Sequence, residues 1–375
     1  MTFCPPAHPL TVLIVDDSAF MRASLKHIVG ATPGYAVIGE AGDGRAAVEA
    51  IRRLRPDIVT LDIDMPVLDG IGVLKAIRPA AGVAPLVVMV SAFTTQGADL
   101  TLTALGLGAI DFVPKASEHF KTDLAQVGDL LRSKLATAAA VLTGRDRLPH
   151  PPASCTAPAR SAAAHPAATH PATPPPAPRP APARGPADIV VIASSTGGPQ
   201  TLPEVLRPLC PCPAPVVVAQ HIPAMFSRSL ASSLAAALGV AVVEAEDGMV
   251  LAAGTVHILP GGCNGEIQRL RPGVFAIKLS EGGNAVHRPN ADILFRSAAL
   301  SARRPVAAIL SGMGSDGTEG ARALAQRGCA VLAQTPESAV IWGMPRAAID
   351  AGVVAEVLDP ADLGRRLAML TGKAP

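Results

Sequence analysis

The chain has 375 residues, 49% of them hydrophobic, and 32 Lys and Arg against 30 Asp and Glu leave a formal net charge of +2. That length accommodates two ordinary domains with large cores, while balanced charge with one Trp and one Tyr offers nucleic acid neither a basic face nor stacking aromatics. The start, MTFCPPAHPLTVLIVDD, lacks the basic and cleavable apolar segments of a signal peptide, and no run reaches the roughly 18 apolar residues of a membrane span, so a cytoplasmic protein is expected.

Apolar, β-branched runs alternate with helical patterns from the beginning: LTVLIV (10–15), YAVIGEA (35–41), DIVTLD (57–62), PLVVMVS (85–91) and AIDFV (109–113). Near-continuous apolar strands separated by helices predict a parallel sheet covered on both faces. Residues 145–187 then change character, becoming rich in Pro and Ala and almost free of large apolar side chains. Such a segment buries no core, and its prolines favour extended conformations, so a disordered linker is expected. Strand patterns resume in DIVVIAS (188–194), APVVVAQ (214–220), VAVVEA (240–245), GTVHILP (254–260), VFAIKLS (274–280), PVAAILS (305–311) and CAVLAQ (329–334). The expected fold class is α/β, with two doubly wound parallel-sheet domains over 10–135 and 188–370. The six cysteines are scattered, as reduced thiols would be, and Cys210-Pro-Cys212 has no partner pair at metal-site spacing.

In such sheets, functional groups gather beyond the carboxyl ends of the strands. The first strand runs into Asp16 and Asp17, the third ends in Asp62, the fourth in Ser91, and Lys115 follows the fifth. Acids that merely end strands in water explain each residue singly but not the set. Three converging carboxylates repel one another, and a hard cation such as Mg²⁺, which takes oxygen ligands and shares phosphate oxygens, resolves the conflict. Ser91 and Lys115 would then touch a phosphoryl group on a neighbouring carboxylate.

The segments VDDS, LDIDMPVLDG, SAF and DFVPK closely resemble a two-component response-regulator receiver domain, a flavodoxin-like fold. The resemblance implies that Asp62 accepts a phosphoryl group from a histidine kinase. It further implies Mg²⁺ held by Asp16, Asp17, Asp62 and the backbone carbonyl of Asp64, with Phe112 as an aromatic switch residue. Ala116 follows Lys115, where the family more often has proline.

In the second half, VVIASSTGGPQ (190–200) reads as a strand turning sharply into a helix. Such a turn can cradle a phosphate or present a nucleophilic serine. At this turn a P-loop lysine is absent, as is the G-x-G-x-x-G fingerprint, and a nucleophile needs a base and an orienting acid. His221 follows APVVVAQ directly, and Asp316 lies just past another apolar strand in PVAAILSGMGSDGTEG. Serine, histidine and aspartate thus leave one edge of the sheet, as a triad requires. His257 sits inside an alternating strand and is expected to be packed. His287 sits in a loop before a helix capped by Asn290 and is a candidate to line a substrate site.

The segments STGGP, QHIPAMF, DGMVLAAGTVHILPGG, HRPNADILF, SGMGSDGTEG and WGMPRAAI resemble the Rossmann-like catalytic domain of the chemotaxis protein-glutamate methylesterases, the CheB family. The resemblance implies Ser195 as nucleophile, Ser194 as a packed neighbour, His221 as base and Asp316 as its orienting acid. It places Thr196 and Met313 at the oxyanion-binding position and requires no cofactor in this domain. The implied reaction is hydrolysis of glutamate 5-O-methyl esters on methyl-accepting chemotaxis receptors, with glutamine deamidation in some members and no direct membrane insertion. It also implies that the unphosphorylated receiver packs over the catalytic face. Ala193 stands where the family usually has glycine, and a left-handed backbone there would cost alanine about 1 kcal/mol. Two alternatives are a DNA-binding output domain, which lacks a helix-turn-helix pattern or basic stripe, and a catalytically silent adaptor, favoured only by Ala193.

Overall fold

The computed structural model describes residues 8–77, 84–91, 94–115, 124–145, 185–281 and 287–373. In the first half, β1 (Leu10–Val15), β2 (Tyr35–Ala41), β3 (Ile58–Asp62), β4 (Leu86–Ser91) and β5 (Asp111–Pro114) form one sheet in the order β2-β1-β3-β4-β5. Every pairing is parallel. The connections are α1 (Ala19–Gly30), α2 (Gly44–Leu54), α3 (Gly70–Ile77) and α4 (Thr95–Gly106), and α5 (Leu124–Arg145) follows β5. Short polar side chains start the helices where the chain leaves a strand: Ser18 Oγ accepts the Met21 N–H and Asp43 the Ala46 N–H.

The second half repeats the plan with seven strands. These are β6 (Ile189–Ser194), β7 (Val216–Gln220), β8 (Val242–Glu244), β9 (Val256–Ile258), β12 (Pro305–Ile309), β13 (Val331–Gln334) and β14 (Glu356–Leu358). Their order is β14-β13-β12-β6-β7-β9-β8, again parallel throughout. Helices α6 (Gly198–Leu209), α7 (Ala224–Leu238), α8 (Ala291–Ser301), α9 (Thr318–Gln326), α10 (Gly343–Asp350) and α11 (Pro360–Leu370) complete the domain. Strands β6, β7 and β12 are buried over their whole length, as their unbroken apolar runs require of a sheet covered on two faces.

VFAIKLS does form a strand, β11 (Val274–Ser280), but outside the main sheet. It pairs antiparallel with β10 (Asn264–Arg271) in a separate two-stranded sheet, and Val250 adds an isolated antiparallel bridge to its Ala276. The linker expected over 145–187 lies, apart from its ends, outside the described residues, as does Ala116. At those ends Arg145 closes α5, and the Ala187 N–H donates to Leu370 O at 2.7 Å.

Candidate functional site

Strand β6 delivers its last residue, Ser194, into the interior, and the next residue to a cleft. Ser194 is fully buried and its hydroxyl donates to Gln220 Oε1 at 2.6 Å, whereas Ser195 is half-buried. The Ser195 N–H donates to Ser311 O at 2.9 Å, and its carbonyl accepts the Gly198 N–H at 2.8 Å. Gly197, with φ of 83°, starts α6 in the left-handed region, where a side chain is disfavoured. A Cβ on Gly198 would lie 2.0 Å from Gln220 Oε1, so the backbone passes only because the side chain is missing. Ala193 pairs with Ile309 and Ala219 inside regular strand. Among the described residues, the only non-glycine positions with positive φ are Arg55 and Val67. The cost expected for alanine at 193 therefore does not arise.

His221 follows β7 and is tied back by its N–H to Ser194 O at 2.9 Å. Its Nε2 meets Asp316 Oδ2 at 2.8 Å, while Nδ1 is buried without a hydrogen-bond partner. With Nε2 committed to the carboxylate, Nδ1 is the nitrogen left to take a proton. Asp316 lies at the N-terminus of α8: Oδ2 also accepts the Ala291 N–H at 2.7 Å, and Oδ1 accepts those of Asp292 at 3.2 Å and Gly317 at 3.0 Å. Burial raises its pKa, but the His221 bond and the backbone donors outweigh that and hold it below the ordinary carboxylate value. The His287 ring stacks on His221 with centroids 4.6 Å apart and 16° between planes. Asn290 caps α8 as expected, accepting the Ile293 N–H at 2.9 Å. His257 is a packed residue, 2% exposed, with Nδ1 3.2 Å from Val216 O.

Thr196, next in the chain after Ser195, is buried. The Gly312–Met313 turn runs just behind Ser195, since a Cβ on Gly312 would sit 2.8 Å from the Ser195 Cβ. Three buried residues that sequence reasoning missed brace this region. Gln220 Nε2 donates to Ser195 O at 2.9 Å and His221 O at 3.1 Å, joining the Ser195 turn to His221. Ser311 Oγ donates to Thr196 O at 2.7 Å, and the Ser311 N–H donates to Gln334 Oε1 at 2.7 Å. Trp342 Nε1 donates in turn to Gln334 O at 3.1 Å. Only the adjacency of Gln220 to His221 could have flagged any of them.

The first domain covers this cleft. Phe112 stacks at a tilt on Phe226, centroids 4.3 Å apart, and Gln200 Nε2 donates to Ala109 O at 2.8 Å. Thr137 Oγ1 donates to Met313 Sδ at 3.2 Å. Thr196 Oγ1 donates to Asp111 Oδ2, which also takes Lys134 Nζ at 2.7 Å. The cavity left between Ser195, Thr196, His221, Asp111 and Phe112 measures about 10 Å³.

The other predicted cluster assembles at the far end of the first sheet. Carboxylate oxygens of Asp16, Asp17 and Asp62 lie within 4.8 Å of one another. Lys115 Nζ reaches Asp62 Oδ2 at 2.7 Å and Asp16 Oδ2 at 3.0 Å. Burial, with Asp16 adding to it, pushes the Asp62 carboxyl up to about 6 against the opposing pull of Lys115. For Lys115 burial lowers the pKa, but the two carboxylates outweigh it and raise it. Ser91 is buried at the end of β4, where its carbonyl accepts the Lys115 N–H at 2.8 Å. Asp64 is exposed, its N–H 3.4 Å from Asp62 Oδ1. An all-oxygen, electron-rich donor set of this kind fits a small divalent cation. Cys210 and Cys212 are buried thiols, and among the described residues the aspartate trio is the only cluster with metal-ligand geometry. No helix among the described residues is long and apolar enough to cross a membrane.

The model for the CheB methylesterase family matches residues 190–367, and that for the response regulator receiver domain matches 12–124. The protein-glutamate methylesterase/protein-glutamine glutaminase of Geobacillus kaustophilus is 43% identical over 357 residues, covering 94% of this chain and 96% of that protein. The protein of the same name from a Nocardioides species is 40% identical over 366 residues, covering 96% of each. The solved CheB methylesterase catalytic domain of Thermotoga maritima is 36% identical, covering 50% of this chain and 99% of its own, with a TM-score of 0.47. On the strength of matches that span both halves, the chain belongs to the CheB methylesterase family and carries a response-regulator receiver domain.

Proposed function

We propose that this chain hydrolyses glutamate 5-O-methyl esters on methyl-accepting chemotaxis receptors, releasing methanol, and that phosphorylation of its receiver controls access to the site. The observation that carries the reading is the His221–Asp316 pair beside Ser195 at one sheet edge. Ser195 Oγ attacks the ester carbonyl while His221 takes its proton, and Asp316, kept charged by its donors, steadies the imidazolium. Thr196 and Met313 flank the oxyanion, and His287 borders the substrate. Methanol departs with the proton from His221, and water, activated by the same histidine, then cleaves the acyl-enzyme. Deamidation of a receptor glutamine needs no further group, which accords with the double name of the relatives.

The working division is a receiver over 10–135, a linker over 145–187 and a catalytic domain over 188–370, acting in the cytoplasm. Asp62 accepts the phosphoryl group from a histidine kinase, Ser91 and Lys115 contact it, and Phe112 responds to it. Asp16, Asp17, Asp62 and the Asp64 carbonyl would hold Mg²⁺, whose charge neutralises the phosphoryl oxygens and the crowded carboxylates. A cavity of about 10 Å³ has room for about one water, so a receptor side chain enters only once the receiver moves away. In methanol release from methylated receptor membranes with a small phosphodonor, Ser195→Ala should abolish activity and Ser194→Ala should leave most of it. Near-normal release by Ser195→Ala would overturn the assignment.

A further inference from the structure

The group that closes the catalytic cavity is itself a carboxylate. Asp111, the first residue of β5, is 7% exposed. Its Oδ2 accepts from Thr196 Oγ1 and lies 2.7 Å from Lys134 Nζ, and its Oδ1 accepts the Phe112 N–H at 2.9 Å. A buried carboxylate is costly unless paired. Here the counter-cation comes from α5 of the same domain, and the catalytic half supplies only a neutral hydroxyl. The receiver therefore inserts and withdraws an electrically balanced pair.

The reaction proposed above leaves a short side-chain carboxylate on the receptor. We infer that Asp111 is a built-in product analogue: its carboxylate fills the subsite that receives the glutamyl carboxyl group, and the Thr196 hydroxyl is the group that reads it. The inference rests on the methylesterase reading and adds to it the identity of a specificity-determining side chain. Thr196 lies one residue beyond the nucleophile, and its hydroxyl is already committed to the carboxylate in the closed state. Other contacts between the halves, among them Thr137 Oγ1 on Met313 Sδ, have a different character. Gln200 on Ala109 O and Phe112 on Phe226 dock the domains without presenting a carboxyl group to the nucleophile turn. Resting inhibition then comes from occupancy of a substrate subsite rather than from cover alone.

The test uses the full chain and methylated receptor, with and without a small phosphodonor. Asp111→Ala should raise the rate without phosphodonor about fivefold or more and bring it close to the phosphodonor-activated wild-type rate. Asp111→Asn, isosteric but unable to pair with Lys134, should fall between the two. Gln200→Ala, which loses a docking bond but leaves the subsite filled, should raise the rate far less. Phosphodonor labelling of Asp62 checks that each receiver is folded. Independently of any receiver variant, N-acetylglutamic acid α-amide at millimolar concentration should inhibit the activated wild type competitively with receptor, and inhibit Thr196→Val more weakly. An unchanged resting rate in a labelled Asp111→Ala protein, or an activated wild type indifferent to the carboxylate, overturns the proposal. An activated wild type that releases no methanol overturns the methylesterase reading, and the proposal with it.

Discussion

Both halves place a carboxylate beyond the carboxyl ends of parallel strands, yet their surroundings shift Asp62 and Asp316 in opposite directions. Asp62 shares its pocket with Asp16 and Asp17, and Lys115, the one cation among the described residues that reaches it, is divided between two of them. Burial drives its pKa up to about 6. Asp316 has a histidine and three backbone N–H groups, two from the start of α8, and it is held below the ordinary value despite burial. The difference fits the roles proposed above, phosphoryl acceptor for Asp62 and orienting acid for Asp316. An acceptor for a phosphoryl group must keep oxygens short of donors, so that an incoming cation and phosphorus find them. An orienting acid must stay ionised and fixed through every turnover, which a helix N-terminus provides at no cost in mobile counter-ions.

The contrast can be broken most severely at Asp316. Asp316→Asn keeps the shape but reverses a hydrogen-bond preference, leaving His221 in the wrong tautomer, and should lower kcat by on the order of 10³–10⁴. Steady-state methanol release measures it, and a loss under about tenfold would mean that the carboxylate serves only to cap α8. The opposite substitution, Asp62→Asn, should abolish phosphodonor labelling yet stabilise the protein at pH 7 without Mg²⁺, by about 3 kcal/mol at most.

The pH dependence separates the two carboxylates further. Between about pH 4 and pH 6 the folded chain holds a proton on Asp62 that the unfolded chain has released. Asp62 therefore adds stability as pH falls through that window, and the advantage of Asp62→Asn should shrink from pH 7 to pH 4.5. Asp316 acts in reverse: its contribution is present above about pH 4 and lost as pH falls through its depressed pKa. Thermal melts of the wild type, Asp62→Asn and Asp316→Asn across that range test both signs.

The smallest effect concerns the loops. Past Asp316's strand the left-handed positions are glycines, Gly314 with φ of 89° and Gly317 with 91°, whereas the loop after Asp62 places Val67 at φ 69°, 74% exposed. A β-branched residue there carries strain of about 1–2 kcal/mol, part of which glycine returns as chain entropy. Val67→Gly should thus raise stability by about 0.5–1 kcal/mol, visible as a rise of a few degrees in the melting of the first domain. Unchanged or lower stability would show that contacts made by the valine outweigh the strain.

The strands of both main sheets were largely legible because buried parallel strands are near-continuous apolar runs, and the ends of β3, β7 and β12 pointed to Asp62, His221 and Asp316. Strand β10, NGEIQRLR, was missed because it is mostly exposed and polar, and β14 because three residues carry too little pattern. VFAIKLS was read as a strand, but apolar content alone does not say which sheet receives it. What no local pattern could carry was the bond from Asp111 to Thr196, 85 residues away. Asp111 lies within DFVPK, where its neighbours Phe112 and Lys115 drew the interpretation, and Gln220, Ser311 and Gln334 look like ordinary polar residues until the fold buries them.

The chain has one tryptophan, and its position makes the protein its own optical probe. Trp342 bonds to Gln334, Gln334 to Ser311, and Ser311 to the backbone of Ser195 and Thr196. All indole emission therefore originates from the network that shapes the Ser195–His221 cleft. Withdrawal of the receiver, filling of the cleft or collapse of the turn would each be read in an unlabelled sample as a shift in one fluorophore's spectrum, resolved in time on the scale of mixing.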